Sequence, residues 1–94
     1  MNFKEFSQSL SSTTPPQGLS KPLEALWYDA KGNWDHAHDL VKDSWDESAF
    51  WVHAFLHREE GDYGNSSYWY RRSNKSQPSI PLQEEWEQIV KGLL

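Results

Sequence analysis

The chain has 94 residues, a net charge of -5, no cysteine and an aromatic-rich composition that includes six Trp, four Tyr and four Phe. This length suits one domain, and the absence of cysteine excludes disulfides, thiol catalysis and thiolate metal sites. The acidic balance does not favour nucleic acid as a partner, and no apolar run approaches the roughly 20 residues that a membrane span needs.

The first 19 residues are rich in Ser, Thr, Pro and Gly, a composition that buries little apolar surface. We expect residues 1–19 to form a flexible arm, in which the spacing of Phe3, Phe6 and Leu10 permits a short helix. Residues 20–94 are expected to form a single helical domain. Because the first residues lack the apolar core of a secretion signal, we expect a soluble, cytoplasmic protein.

Two helices are predicted in the first part of this domain. Ser20 can cap the first helix, which ends near Gly32 because glycine tolerates left-handed backbone geometry. Asn33 is a favoured cap for the second helix. The apolar side of that second helix is formed by Trp34, Ala37, Leu40 and Val41.

Three more helices are predicted in the second half of the chain. The sequence Ser44-Trp45-Asp46-Glu47 has the capping-box pattern, so a third helix is expected from Ser44 to about Glu60. A fourth helix follows Gly61, from about Tyr63 to Asn74. After Pro78 and Pro81, a last helix has an apolar stripe formed by Leu82, Trp86, Ile89, Val90 and Leu93.

The second helix pair is a weak copy of the first. At an offset of 29 residues, the residues Ala25, Gly32 and Trp34 correspond to Ala54, Gly61 and Tyr63. The second copy resembles a tetratricopeptide repeat, with the matching positions Ala54, Gly61, Asp62, Tyr63, Ser66, Tyr70, Ser73 and Pro78. Its offset is shorter than the family's usual repeat of about 34 residues.

The resemblance implies an all-α fold of two stacked tetratricopeptide-like hairpins plus a C-terminal capping helix, about five helices in all. The segment from Trp51 to Asp62, followed by Tyr68-Trp69-Tyr70-Arg71-Arg72, is also similar to a group of small uncharacterised proteins with a WVHAxLHRxEGD...YWYRR motif. That second similarity implies no mechanism.

Stacked hairpins of the tetratricopeptide family usually hold other proteins, and aromatic and Arg side chains are frequent binding hot spots. The candidate binding residues on the inner helices are Leu26, Asp29, Trp51, Phe55, Arg58 and Glu59, and those on the outer helix are Asn65, Trp69 and Arg72. We expect a non-catalytic adaptor module that binds a peptide or a partner helix and uses no cofactor. Two repeats leave open ends, which favours either the capping helix or self-association as a homodimer.

The alternative is a small-molecule or metal-binding protein, or an enzyme, centred on His53, His57 and Arg58. His53 and His57 are four residues apart, so a helix would present both imidazoles on one face, as many metal sites require. Other candidate ligands are His36, His38, Asp39 and Glu59. The sequence does not place a third ligand, and histidines that pack one helix on the next are the competing interpretation. No nucleophile elbow, phosphate loop or His-Glu-x-x-His pattern is present, so catalysis is not favoured.

Overall fold

The computed structural model describes all 94 residues and contains six α-helices and no strand, which confirms the all-α prediction. The helices are α1 (Phe3–Ser9), α2 (Lys21–Ala30), α3 (Trp34–Val41), α4 (Glu47–Glu59), α5 (Tyr63–Arg72) and α6 (Leu82–Leu93). Five of them lie within residues 20–94, and α1 lies in the N-terminal segment.

The helices begin where side-chain oxygen atoms can accept hydrogen bonds from free backbone N–H groups. The Ser20 hydroxyl caps α2 by accepting from the backbone of Leu23, and the Asn33 amide oxygen caps α3 in the same way. Both caps are the predicted ones. The four N-terminal N–H groups of a helix have no partner within it, so each cap stabilises its helix by about 1 kcal/mol.

Helix α4 begins later than the capping-box pattern at Ser44 predicts. Asp46 is the N-cap, and its carboxylate accepts a hydrogen bond of 2.8 Å from the backbone of Ala49. A carboxylate is favoured over a hydroxyl here because it also interacts with the positive end of the helix dipole. Trp45 is therefore left outside the helix, where its side chain is 72% exposed.

The two hairpins turn through equivalent corners. Gly32 and Gly61 have φ angles of +85° and +84°, which glycine adopts without steric cost. The residue after each glycine closes the corner with a backbone hydrogen bond of 2.9 Å, from Asn33 to Tyr28 and from Asp62 to His57. This is the Schellman arrangement, and it lets α3 and α5 each start directly after the turn.

The helices pack around α4, which has buried side chains along most of its length. Helices α2 and α3 form one hairpin, α4 and α5 form the other, and α4 also packs against α2 and α3. Helix α6 lies against both α2 and α4, and α1 packs on α6. Each hairpin therefore leaves one face of its first helix for α6 to cover.

A continuous apolar core joins these helices. Phe6 of α1 is fully buried, and the core also includes the α6 residues Trp86, Ile89 and Val90. The Phe3 and Phe6 rings lie 6.0 and 5.9 Å from the Trp86 ring. Both ends of the described chain are thus part of the same core as the two hairpins.

None of the six helices combines the length and the apolar character that crossing a bilayer requires.

Candidate functional site

Helix α6 covers much of the inner surface on which the sequence predicts a binding groove. Leu26 and Phe55 are fully buried, at 0% and 1% exposure. The Trp86 indole donates a hydrogen bond of 3.0 Å to the backbone carbonyl of Leu26. Trp51 is half-buried, with Gly92 of α6 packed against its ring. These three predicted residues therefore contribute to packing between α6 and the hairpins.

Arg58, another predicted groove residue, forms a largely buried ion pair with α6. Its guanidinium donates to the Glu85 carboxylate at 2.8 Å and also to the backbone carbonyl of Ile80. The Tyr70 hydroxyl donates to the other Glu85 oxygen at 2.6 Å. Burial and this hydrogen bond raise the pKa of Tyr70. This network could not be predicted from the sequence, because Glu85 lies 27 residues from Arg58.

Asp29 and Glu59 come together at the part of the inner surface that stays open. They line a cavity of about 330 Å³, whose other lining residues are Leu10, Ala30, Phe55, Leu82, Gln83 and Trp86. Burial raises the pKa of Glu59, and a hydrogen bond with Asp29 and the charge of that residue raise it further. Burial also raises the pKa of Asp29, although its hydrogen bond with Glu59 acts in the opposite direction. These shifts favour one proton held between the two carboxyl groups.

The outer stripe predicted on α5 is an accessible surface. Asn65 is exposed and its side-chain oxygen accepts a hydrogen bond of 3.0 Å from the Trp69 indole. The Arg72 guanidinium lies 5.5 Å from the centre of the Trp69 ring and 4.8 Å from that of Trp45. Arg72 also donates to the Tyr68 hydroxyl at 3.0 Å. We call Trp45, Tyr68, Trp69 and Arg72 the outer patch.

Trp45 was predicted as an apolar residue of α4 and not as a binding residue. The signal that could have identified it is Asp46, a strong N-cap residue directly after it, because α4 then begins at Glu47 and leaves Trp45 outside the helix. A large ring outside the helix and next to an Arg is then a candidate contact residue.

Three histidines meet beside the outer patch. His38, in the last turn of α3, approaches His53 and His57 of α4, and one ring nitrogen of each lies within 4.8 Å of the others. The Nε2 atoms of His38 and His53 are 3.1 Å apart. His57 uses Nδ1 to contact the Glu60 carboxylate at 2.8 Å. We call these three residues the histidine cluster.

Aromatic rings enclose the histidine cluster. Trp34 stacks on His38 with ring centres 4.9 Å apart, and Trp69 stacks on His53 at 4.1 Å. His53 and His57 are buried, and Nδ1 of His53 has no hydrogen-bond partner. The cluster is therefore shielded by the two indoles and meets the outer patch at Trp69.

Burial favours the neutral imidazole at His38 and His53. Burial lowers the pKa of His53 to about 3, and the nearby His57 and His38 rings lower it as well. Burial and the His57 ring likewise lower the pKa of His38. A neutral imidazole has a free lone pair on one nitrogen, which is the form that binds metal ions.

The other candidate ligands lie apart from this cluster. His36 is exposed on α3, and its ring packs on Tyr28 with ring centres 4.0 Å apart. Asp39 pairs with Lys42 on the surface, and Glu59 points to Asp29 and the cavity. Of the histidines considered from the sequence, the structure thus brings His38, His53 and His57 together.

Comparisons of the chain with protein-family models, curated proteins and solved structures found no match.

Proposed function

We propose that this chain is a non-catalytic interaction module that binds a peptide or partner helix through the outer patch. The observation that carries the proposal is Trp45, which is 72% exposed and has the Arg72 guanidinium 4.8 Å from the centre of its ring. An exposed Trp beside an Arg has the composition of a binding hot spot. Burial of the large indole against a partner would then supply much of the binding free energy.

The contacts of Arg72 prepare the outer patch for binding. Its guanidinium lies 4.8 Å from the centres of the Trp45 and Phe50 rings, and it donates a hydrogen bond to the Tyr68 hydroxyl. Because these contacts already restrict a long side chain, less conformational entropy is lost when a partner binds. Trp45 and Tyr68 remain exposed on either side of this Arg.

The Arg72 guanidinium favours a partner that carries an acidic group. Arg71, Arg72 and Lys75 lie in or just after α5, whereas the chain as a whole has a net charge of -5. Of these residues Arg72 belongs to the patch, whereas the Lys75 amine lies 4.6 Å from the centre of the Trp51 ring, and the acidic residues Asp46 and Glu47 directly follow Trp45. We therefore infer a peptide segment with a carboxylate that pairs with Arg72 and an apolar or aromatic side chain that packs on Trp45.

Site-specific photo-crosslinking tests whether the patch meets a partner. A benzoylphenylalanine at position 45 is expected to crosslink a specific partner, identified by mass spectrometry. The same probe at position 63 is the control, because Tyr63 is also exposed, at 58%, but lies outside the patch. Equal crosslinking from the two positions would count against the patch.

Binding of the identified partner to purified protein gives the second measurement. Trp45→Ala and Arg72→Ala are each expected to weaken binding at least about tenfold, since hot-spot truncations cost more than about 1.4 kcal/mol. Tyr63→Ala should leave the affinity unchanged. If all three variants bind as the wild type does, the outer patch is not the binding surface.

The proposal also includes tetratricopeptide-like stacking of the hairpins, a cytoplasmic location and a homodimer. The stacking is supported by the equivalent corners at Gly32 and Gly61 and by the packing of α2 beside α4. Sedimentation equilibrium measures the oligomeric state, and a monomer at all concentrations would remove the homodimer from the proposal.

A further inference from the structure

The histidine cluster has the arrangement of a metal-ligand set. His38 lies on α3, and His53 and His57 lie on α4, so the packing of these two consecutive helices brings the three rings together. The i, i+4 spacing places the two α4 imidazoles on one face, and the last turn of α3 supplies the third.

The separation of the ring nitrogens fits one ion. In a tetrahedral zinc site with Zn–N distances of about 2.0–2.1 Å, two ligand nitrogens lie about 3.3 Å apart. The Nε2 atoms of His38 and His53 are already 3.1 Å apart. This pair therefore already has the spacing of two zinc ligands, and a ring nitrogen of His57 lies within 4.8 Å of both.

A hydrogen bond between His38 and His53 is the competing explanation of this distance. It requires one ring to donate from Nε2 and the other to accept, which uses both atoms. It does not account for the third ring, because His57 is held by Glu60 through Nδ1 and keeps Nε2 available.

Glu60 forms the hydrogen bond to the second ring nitrogen that metal-binding histidines usually have. Such a histidine commonly donates its second N–H to a carboxylate, which fixes the ring and makes the ligand nitrogen more basic. The contact of 2.8 Å between His57 Nδ1 and Glu60 Oε1 has this form. Trp34 and Trp69 restrict the His38 and His53 rings by stacking on them.

We propose that His38, His53 and His57 bind one divalent transition-metal ion, with zinc as the best fit, through three imidazole nitrogens. Imidazole ligands suit zinc, copper, nickel and iron. Three protein ligands leave the fourth position of a tetrahedral ion to water or to an external ligand. The site does not depend on the partner-binding role of the outer patch, although Trp69 of the outer patch stacks on His53 of the histidine cluster.

Titration calorimetry of the full chain, stripped of metal with a chelator, tests the site with Zn²⁺. We expect one ion per chain for the wild type. His38→Ala should weaken binding at least about 100-fold, because three ligands become two and chelation is lost. His36→Ala is the matched control, since His36 lies on the same helix but packs on Tyr28, and it should bind as the wild type does.

Two further measurements separate a built site from surface binding or misfolding. Co²⁺ in place of Zn²⁺ should give the strong visible absorption of a four-coordinate ion in the wild type and in His36→Ala, but not in His38→Ala. Glu60→Gln should weaken Zn²⁺ binding about 10- to 100-fold. Circular dichroism measures whether each variant is folded. His38 is chosen for substitution because it is half-buried, so its removal disturbs the packing less than removal of the buried His53 or His57 would.

Absence of Zn²⁺ binding by the folded wild type would overturn the proposal. Equal losses of affinity in His36→Ala and His38→Ala would overturn it too, because the ion would then be held by surface histidines.

Discussion

Asp29 and Glu59 show how one shared proton makes folding depend on pH. Burial raises the pKa of Glu59, and the hydrogen bond with Asp29 adds to the effect. In the unfolded chain the two groups separate, and the pKa of Glu59 is about its ordinary value of 4.5. The folded state therefore keeps a proton that the unfolded state releases, so this pair reduces stability as the pH rises above 4.5.

Glu59→Gln removes this titration while it keeps an amide donor for the Asp29 carboxylate. We expect the variant to have a larger free energy of unfolding than the wild type at about pH 8, and little difference near pH 4. Because the Glu59 side chain is only partly covered and keeps contact with solvent, screening limits the gain to about 1 kcal/mol or less. Urea unfolding at both pH values measures it. Parallel pH profiles for the two proteins would contradict the shared proton.

Arg58 illustrates a different effect, that of a charge held in the core by one partner. Arg58→Ala leaves Glu85 buried at 2% exposure with no counter-charge, so we expect a loss of about 3 kcal/mol or more in the free energy of unfolding. Arg71→Ala, on the exposed side of α5, should change stability by less than about 0.5 kcal/mol. Urea denaturation compares the two. Equal stability of the two variants would show that the ion pair does not hold α6.

The role of Arg58 could not be predicted from the sequence. Its position on the inner face of α4 was predictable. The apolar stripe of α6, however, predicts only which face of α6 is buried and not which helices that face packs against. The sequence therefore left the inner face open as a groove. For the same reason it could name His53 and His57 as a pair but could not determine which histidine of α3 reaches them.

At the scale of helices, the corners at Gly32 and Gly61 depend on backbone geometry that other residues adopt at a cost. Gly61→Ala should destabilise the protein by about 1 kcal/mol, because φ of +84° places a Cβ close to the backbone. Gly64→Ala is the matched control. Gly64 lies inside α5 with no atom near its missing Cβ, so alanine there should stabilise by about 0.5 kcal/mol.

Thermal unfolding of both glycine variants followed by circular dichroism gives the comparison. If both alanines shift the melting temperature in the same direction, the left-handed corner is not a constraint in solution.

Helix positions were largely predictable because their signals are local. Ser20 and Asn33 cap α2 and α3 as expected, and the glycines stop the first helix of each pair. The predicted start of α4 is too early because Ser44 and Asp46 are both suitable N-cap residues. Asp46 is the one that caps the helix, since its carboxylate also interacts with the helix dipole. Both alternatives are compatible with the same apolar pattern.

At the scale of the whole molecule, Trp86 connects three parts of the fold. It contacts the α1 rings Phe3 and Phe6 and donates to Leu26 of α2. Trp86→Ala should therefore cost about 3–5 kcal/mol. Leu82→Ala, on the same helix but 37% exposed, should cost less than about 1 kcal/mol.

Urea denaturation with hydrogen exchange tests whether Trp86 unites these parts. In Trp86→Ala the amides of α1 and α6 should lose protection together. Loss of protection in α6 alone would contradict a common core for both ends.

The whole arrangement was predictable only in part. The all-α class follows from the periodicity of apolar residues, whereas the cover that α6 forms over α2 and α4 depends on contacts between residues up to 60 positions apart, as between Trp86 and Leu26. The outer stripe on α5 was predictable because no later helix covers it.

The stacking of two indoles on two imidazoles gives the molecule an internal optical probe. Trp34 lies on His38 and Trp69 on His53, and indole fluorescence is quenched by electron transfer to a protonated or copper-bound imidazole in contact with it. Trp27, buried at 1% exposure and hydrogen-bonded to Ser9, emits from an environment without such a quencher in contact. The intensity of the emission, without any added dye, therefore reports the chemical state of the two rings.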